Sequence, residues 1–207
     1  MSAPPLGTPV TRWWWLRHAP VPDPGNRITG RLDLPCDTSD SDWFAALAAR
    51  LPRNAVLVES GLMRCGQTIG ALEAAGLALP QPIVEPALQE QDFGRWQGRT
   101  WSDLAALQAP GLAAFWEQPA VIAPPGGESF AAVVERVAAA VATLSAVHAG
   151  RDIIAVAHAG SIRAALAVAL GIVPEAALAF VIEPLSLTRI DALPASWRVA
   201  GVNWLPE

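Results

Sequence analysis

Short apolar runs alternate along this chain with segments of amphipathic character. The runs are bounded by turn-forming residues, which is typical of buried strands. They predict strands at residues 12–17, 55–59, 83–85 and 152–157, and three more near the C-terminus at residues 180–182, 185–190 and 197–204.

Between the runs, apolar residues recur every three or four positions, as on a helix that buries one face. The longest such segment covers residues 130–148, and shorter ones cover residues 43–51, 101–107, 112–117 and 161–170. Another helix passes through Ile69 and Leu72 and ends at Gly76. Alternating strands and helices predict an α/β fold with a mostly parallel sheet that is covered on both faces.

The length of 207 residues fits a single domain, which we place at residues 12–207, with residues 88–127 as a cap or lid. We expect residues 1–11 to form a short N-terminal tail, because they lack the features of a signal peptide. No apolar run reaches the about 18 residues that a membrane span needs, so no membrane association is expected.

Charge and cysteine content narrow the function further. The net charge of −5 argues against nucleic-acid binding, and all 14 basic residues are arginines. Cys36 and Cys65 lack the spacing of metal ligands, which favours reduced thiols in a cytoplasmic protein. We therefore predict neither a metal site nor a cofactor.

Two histidines carry the candidate chemistry. His18 follows the first predicted strand and His158 follows the strand at 152–157. Ligands of open α/β sheets bind beyond the carboxyl ends of the strands, so both histidines are expected in one crevice. A neutral imidazole at His18 can attack phosphorus and form a phosphohistidine. Arg17, Arg64 and His158 can hold the transferred phosphoryl group, and Glu90 is the candidate general acid.

Each of these residues also has a simpler structural interpretation. A histidine at a strand end is often hydrogen bonded within the core, and Arg64 or Glu90 alone would fit an ordinary surface position. Taken together, these residues indicate a function much more specifically than any one of them does alone. The chain resembles the histidine phosphatase superfamily, which includes the phosphoglycerate mutases, in five segments that follow the family order: 16–19 (LRHA), 60–68 (SGLMRCGQT), 88–98 (LQEQDFGRWQG), 125–129 (PGGES) and 158–163 (HAGSIR).

The resemblance implies a three-layer α/β/α sandwich and assigns roles to the matching residues. His18 would be the phosphorylated nucleophile, Glu90 the proton donor, and Arg17, Arg64 and His158 the phosphoryl-binding groups. Residues expected to bind the substrate are Thr29, Gly30, Ser161 and Arg163. The chain departs from the family pattern at three positions: Ala19 and Ala159 replace glycines, and Gln97 replaces a glutamate.

The segment at 88–127 should determine which substrate is bound. It has few basic residues and many apolar ones, such as Trp101 and Phe115, which suits a bulky alcohol better than a second anion. This composition favours a metal-independent phosphatase acting on a small phosphomonoester, similar to the α-ribazole phosphatases of cobalamin synthesis. A phosphoglycerate mutase-type phosphotransferase and a non-catalytic phospho-ligand-binding module are the alternatives. If the aromatic residues of the lid are exposed, they could also form the interface of a homodimer.

Overall fold

The computed structural model describes residues 9–22 and 25–206. Six strands form one sheet: β1 (Thr11–Arg17), β2 (Val56–Glu59), β3 (Ile83–Val84), β4 (Asp152–Ala157), β5 (Leu187–Leu193) and β6 (Ser196–Trp204). Seven α-helices accompany them: α1 (Ser41–Arg50), α2 (Met63–Ala74), α3 (Trp101–Ala106), α4 (Leu112–Glu117), α5 (Phe130–Val147), α6 (Ala159–Leu170) and α7 (Pro174–Ala177). Two 3₁₀ helices cover Pro86–Leu88 and Gly94–Trp96.

The sheet has the order β3-β2-β4-β1-β5-β6. The first four strands of this order run parallel, whereas β5 and β6 continue the sheet in the antiparallel direction. The prediction of a mostly parallel sheet is confirmed. Strand β4 lies between β2 and β1, so the ends of β4 and β1 are direct neighbours.

Alternation along β1 explains the three layers. Trp13 and Trp15 face the core formed with α5 and α6, whereas Trp14 and Leu16 face the core formed with α1 and α2. Every second side chain of a strand points to the same face of the sheet. A continuous apolar run therefore requires helices on both sides, and the predicted α/β/α sandwich is confirmed.

Helix α5 is long and apolar enough, by length and composition alone, to cross a membrane. It nevertheless buries one face in the core through Val133, Val137 and Val141, and it carries Glu135 and Arg136. Packing against the sheet and α6 accounts for its apolar composition, as in the core helix of an α/β domain.

The predicted cap has a small apolar core of its own. Trp96, Leu104, Leu112 and Phe115 are buried together, and Ile28 from the loop after β1 joins them. The aromatic rings meet mostly edge to face, at a centroid distance of 5.2 Å for Trp96 and Phe115. This core fixes the cap beside the carboxyl ends of β1 and β4.

One predicted strand is wrong. Residues 180–182 form no strand, although Ile182 is buried and Phe180 packs against the core. The backbone carbonyls of these two residues are hydrogen bonded to arginine side chains instead of a neighbouring strand. Of the predicted tail, residues 1–8 lie outside the described residues and Thr11 already belongs to β1.

Candidate active site

The two histidines lie at the ends of neighbouring parallel strands. Arg17 of β1 is in register with Ala157 of β4, and the backbone N–H of His18 donates to the carbonyl of Ala157 at 3.0 Å. The ring centroids of His18 and His158 are 5.0 Å apart. The two imidazoles therefore lie close together, but His18 lines the adjoining cavity whereas His158 is fully buried and does not.

His18 presents an unprotonated nitrogen. Its Nδ1 lies 2.7 Å from the carbonyl oxygen of Ala19, which can only accept, so Nδ1 carries the proton and the lone pair of Nε2 accepts from Arg64 Nε. The side chain is buried, and burial together with the nearby Arg64 lowers the pKa of His18 to about 3. At neutral pH the imidazole is therefore uncharged.

Arg64 lies between the two imidazoles, with 1% of its surface exposed. Its Nε is 3.2 Å from His18 Nε2 and 3.3 Å from His158 Nδ1. The other two nitrogens of the guanidinium donate to the carbonyls of Leu32, at 2.8 Å, and Gly30, at 2.7 Å. These loop carbonyls hold the plane of the guanidinium in place, so its Nε–H points between both rings.

His158 is fully buried and is the N-cap residue of α6. Because its Nδ1 accepts from Arg64, its Nε2 carries the proton and donates to Ser60 Oγ at 2.8 Å. Burial lowers the pKa of His158 well below its ordinary value. Ser161 does not line the cavity: it is fully buried, and its Oγ accepts from the backbone N–H of His158 at 3.1 Å.

A cavity of about 400 Å³ opens in front of His18. Arg17 lies on its wall and donates from Nη1 to the carbonyl of Ile182 at 2.6 Å. Among the described residues, the buried Nε of Arg17 has no hydrogen-bond acceptor. Arg163 also lines the cavity, as predicted, and donates from Nε to the carbonyl of Phe180 at 2.8 Å.

Glu90 reaches the same cavity from the cap. Its Oε1 accepts from the backbone N–H groups of Gln91, at 2.9 Å, and Gly160, at 3.0 Å. A Cβ atom at position 160 would lie 2.1 Å from this oxygen, so only glycine permits the contact. The carboxyl group is thus held against the N-terminal turn of α6, at the cavity that His18 also lines.

Thr29 and Gly30 both line the cavity, as predicted. Gly30 has a φ of +50°, and a Cβ atom there would meet Gln97 Oε1 at 2.2 Å. Gln97, which replaces the glutamate of the family motif, accepts the backbone N–H of Arg31 at 2.6 Å. This contact fixes the loop whose carbonyls orient Arg64.

The charge of the cavity is strongly positive. Of the lining residues that the structure describes, four are arginines and one is a carboxylate: Arg17, Arg27, Arg64, Arg163 and Glu90. Such a cluster suits an anion with several oxygens. Across residues 9–22 and 25–206, no group of three His, Cys, Asp or Glu side chains is arranged to hold a metal ion.

Three supporting side chains received no role from sequence reasoning. Ser60 holds His158, Thr68 accepts the backbone N–H of Ala19 at 2.9 Å, and Glu128 joins the cap to α5 through Arg136. All three lie in segments that match the family motifs. Their partners are distant in the sequence, so only the fold shows what each side chain contacts.

The sequence of this chain matches the model of a known protein family over most of its length. The model of the histidine phosphatase superfamily (branch 1) matches residues 13–205. The chain belongs to the histidine phosphatase superfamily. Four of the five sequence segments, 16–19, 60–68, 88–98 and 158–163, contribute residues to the cavity lining, whereas segment 125–129 lies outside it and contacts segment 88–98.

Several curated proteins are similar to this chain in sequence. A glucosyl-3-phosphoglycerate phosphatase of Mycobacterium tuberculosis is 34% identical over 204 residues, which cover 92% of this chain and 85% of that protein. A bifunctional protein of the same species is 34% identical over 168 residues, or 79% of this chain. The chain spans only 45% of the length of that relative.

Solved structures have the same fold. A mycobacterial glucosyl-3-phosphoglycerate phosphatase superposes with a TM-score of 0.78 at 30% identity, covering 94% of this chain and 99% of that chain. An Escherichia coli protein described as a putative α-ribazole-5'-P phosphatase gives a TM-score of 0.82 at 24% identity, covering 94% and 96%. At that identity the second comparison concerns the fold alone.

Proposed function

We propose that this protein is a metal-independent phosphomonoesterase that acts through a phosphohistidine at His18. The observation that carries the proposal is the pairing of a neutral, buried His18 Nε2 with guanidinium donors at the same cavity. Arg17 supports it further, because it lines the cavity and its buried Nε has no acceptor among the described residues, as expected of a donor that awaits an anion.

In the first step, His18 Nε2 attacks the phosphorus atom and the bond to the ester oxygen breaks. Glu90 gives its proton to that oxygen, so the product leaves as a neutral alcohol. Arg17 and Arg64 stabilise the charge that develops on the phosphoryl oxygens. When the anion binds, His158 takes a proton from solvent on Nδ1 and donates it to the same group, and this proton returns to solvent when inorganic phosphate leaves.

In the second step, a water molecule attacks the phosphorus of the phosphohistidine. Glu90, now a carboxylate, takes a proton from this water, the N–P bond breaks, and inorganic phosphate leaves. His18 returns to its neutral form with the proton on Nδ1. Glu90 therefore acts as acid in the first step and as base in the second.

For the substrate, we propose first a phosphorylated organic acid or its glycoside, such as glucosyl-3-phosphoglycerate. Relatives with that name are 33% to 34% identical to this chain. Arg163 supports the choice, because it lines the cavity in addition to Arg17 and Arg64 and its guanidinium can pair with a carboxylate. The second candidate is α-ribazole phosphate, favoured by the aromatic side chains of Phe93 and Trp101 on the cavity wall.

The test of the mechanism is acid-labile phosphate trapping on the wild type and on His18→Ala. We expect labelled phosphohistidine in the wild type and neither label nor turnover in the folded variant. Label without release of inorganic phosphate, but with transfer to a second alcohol, would favour a mutase-type phosphotransferase. Stable binding of phosphoesters without any label would identify a binding module and refute the proposal.

The two substrate candidates are separated by a pair of variants. Arg163→Gln should raise the KM for glucosyl-3-phosphoglycerate about 10-fold or more, because an arginine–carboxylate contact is lost, and should leave p-nitrophenyl phosphate nearly unchanged. Trp101→Ala should instead affect α-ribazole phosphate most. A loss on all substrates alike in Arg163→Gln would place Arg163 at the phosphoryl group and not at the leaving group.

A further inference from the structure

Glu128 is a largely buried carboxylate between two arginines, close to the active site but outside the cavity. It precedes α5, and its side chain is 19% exposed. Its Oε1 accepts from Arg31 Nη2 at 2.7 Å and from Arg136 Nη2 at 2.8 Å, and its Oε2 accepts from Arg136 Nε at 3.0 Å. We call these three residues the Glu128 clamp.

Both arginines of the Glu128 clamp also bind the backbone of Glu90. Arg31 Nε and Arg136 Nη2 each lie 3.1 Å from the carbonyl oxygen of Glu90. The single carbonyl is therefore held from two sides, by one arginine of the loop after β1 and one of α5. A carbonyl in this position fixes where the Glu90 side chain starts.

The residues after Glu90 are tied to the same point. Glu128 Oε1 accepts the backbone N–H of Asp92 at 3.0 Å, and the backbone N–H of Glu128 donates to the Asp92 carbonyl at 2.9 Å. Gln91 Nε2 donates to the Glu128 carbonyl at 2.9 Å. Glu128 thus contacts both residues that follow Glu90 in the chain.

Two glycines allow these backbones to approach so closely. A Cβ atom at Gly127 would lie 2.2 Å from the Asp92 carbonyl oxygen, and one at Gly94 would lie 2.5 Å from the backbone of residues 126 and 127. Side chains at either position would separate the two loops. Gly94 and Gly127 therefore allow the segment that carries Glu90 to contact the Glu128 clamp.

At neutral pH the side chain of Glu128 is ionised and carries a negative charge. Burial opposes the ionisation of Glu128, but hydrogen bonds from Arg136 and from the Asp92 N–H outweigh it, and the pKa of this carboxyl group is lowered. Two guanidinium groups that converge on one carbonyl would repel each other, and the negative charge of Glu128 between them offsets this repulsion.

We propose that Glu128 is a positioning residue for proton transfer: it holds Arg31 and Arg136 on the Glu90 carbonyl and so keeps the Glu90 carboxyl group against Gly160 at the cavity. The proposal rests on the role of Glu90 given under Proposed function. It differs from a purely structural role, because it predicts a defect that depends on the leaving group.

The test compares Glu128→Gln with the wild type on two substrates. An alkyl phosphate needs a proton on its leaving oxygen, whereas p-nitrophenyl phosphate needs little. Since general acids contribute roughly 10²-fold to 10⁴-fold, we expect kcat for the alkyl phosphate to fall roughly 10-fold to 100-fold. For p-nitrophenyl phosphate we expect a fall of less than about 3-fold, with phosphohistidine still formed.

The chain offers a matched control. Asp191 is a fully buried carboxylate on β5 that likewise bridges two arginines, Arg189 at 3.0 Å and Arg198, but it lies outside the cavity lining. Asp191→Asn should lower stability and leave the ratio of the two activities unchanged. If Glu128→Gln folds poorly, Arg31→Gln removes one half of the clamp and should give a smaller change of the same ratio.

A second measurement does not depend on catalysis. The backbone N–H of Gly160 donates to the Glu90 carboxyl group, so its amide hydrogen exchange reports where that group lies. We expect exchange at Gly160 to accelerate about 10-fold in Glu128→Gln and to stay constant in Asp191→Asn. Faster exchange in a protein that hydrolyses no phosphoester would support the clamp and refute the proposed function instead.

Three results would overturn the proposal. Equal losses on both substrates in Glu128→Gln would indicate general destabilisation. Unchanged exchange at Gly160 would show that Glu90 is positioned without the clamp. A further fall in the activity ratio when Glu128→Gln is added to Glu90→Gln would show that Glu128 does not act through Glu90.

Discussion

Acid should destabilise this protein through His18, by an amount that follows from its burial. The pKa of His18 is about 3 in the folded protein and about 6.5 in an unfolded chain. Between these pH values the unfolded state binds a proton that the folded state does not, so the free energy of unfolding decreases as the pH falls. Above pH 6.5 both states are neutral at this site and the effect vanishes.

The magnitude can be worked out at pH 5. The difference between the unfolded pKa and this pH is about 1.5 units, and about 1.36 kcal/mol per unit gives a loss of about 2 kcal/mol from His18 alone. His158 adds to the loss in the same direction, since its pKa is also lowered by burial. Carboxyl groups contribute as well, so the wild type alone cannot isolate the histidine.

The assay is therefore a comparison of urea unfolding for the wild type and His18→Asn at pH 7.5 and pH 5. The difference at pH 7.5 reports packing and lost hydrogen bonds. Between pH 7.5 and pH 5 we expect the wild type to lose about 2 kcal/mol more than the variant, because asparagine does not titrate. Equal losses in both proteins would refute the assignment of His18 as a buried neutral imidazole.

Three further outcomes are expected. Gly160→Ala should lower kcat for alkyl phosphates roughly 10-fold, because the added Cβ atom displaces the Glu90 carboxyl group. The protein should stay as stable as the wild type, since alanine favours the helix, and an unchanged kcat would contradict the contact between Gly160 and Glu90. Binding of sulfate, an anion that does not itself titrate near pH 7, should take up about one proton at pH 7, as the anion raises the pKa of His158. Calorimetry in two buffers of different ionisation enthalpy would detect no proton uptake if the histidine stays neutral. A chelator should leave hydrolysis intact, because the described residues contain no metal-binding cluster, and a loss that added metal restores would contradict this.

The backbone geometry at Ala19 and Ala159 does not require the glycines of the family pattern. Ala19 and Ala159 replace glycines, yet neither is among the residues with positive φ. A glycine is required where φ is positive or where a Cβ atom would collide, as at Gly30 and Gly160. The expectation that alanine is tolerated at both positions is consistent with this geometry.

What the sequence determined by itself is the layered fold and the pair of histidines. Apolar runs that continue through Trp13 to Leu16 and through Ile153 to Ala157 require a sheet buried on both faces, and a histidine directly after such a strand lies at its carboxyl end. These features are local in the chain, so pattern and spacing suffice to predict them.

Only the tertiary structure decided how the side chains are held. The hydroxyl of Ser161 accepts the backbone N–H of His158 and does not line the cavity. The sequence of residues 180–182 is typical of a strand, but carbonyls of this segment accept hydrogen bonds from Arg17 and Arg163. Hydrogen bonds of this kind join residues far apart in the sequence, and neither composition nor periodicity records them. The approach of Glu90 to Gly160 likewise depends on two loops that meet only when the sheet has formed.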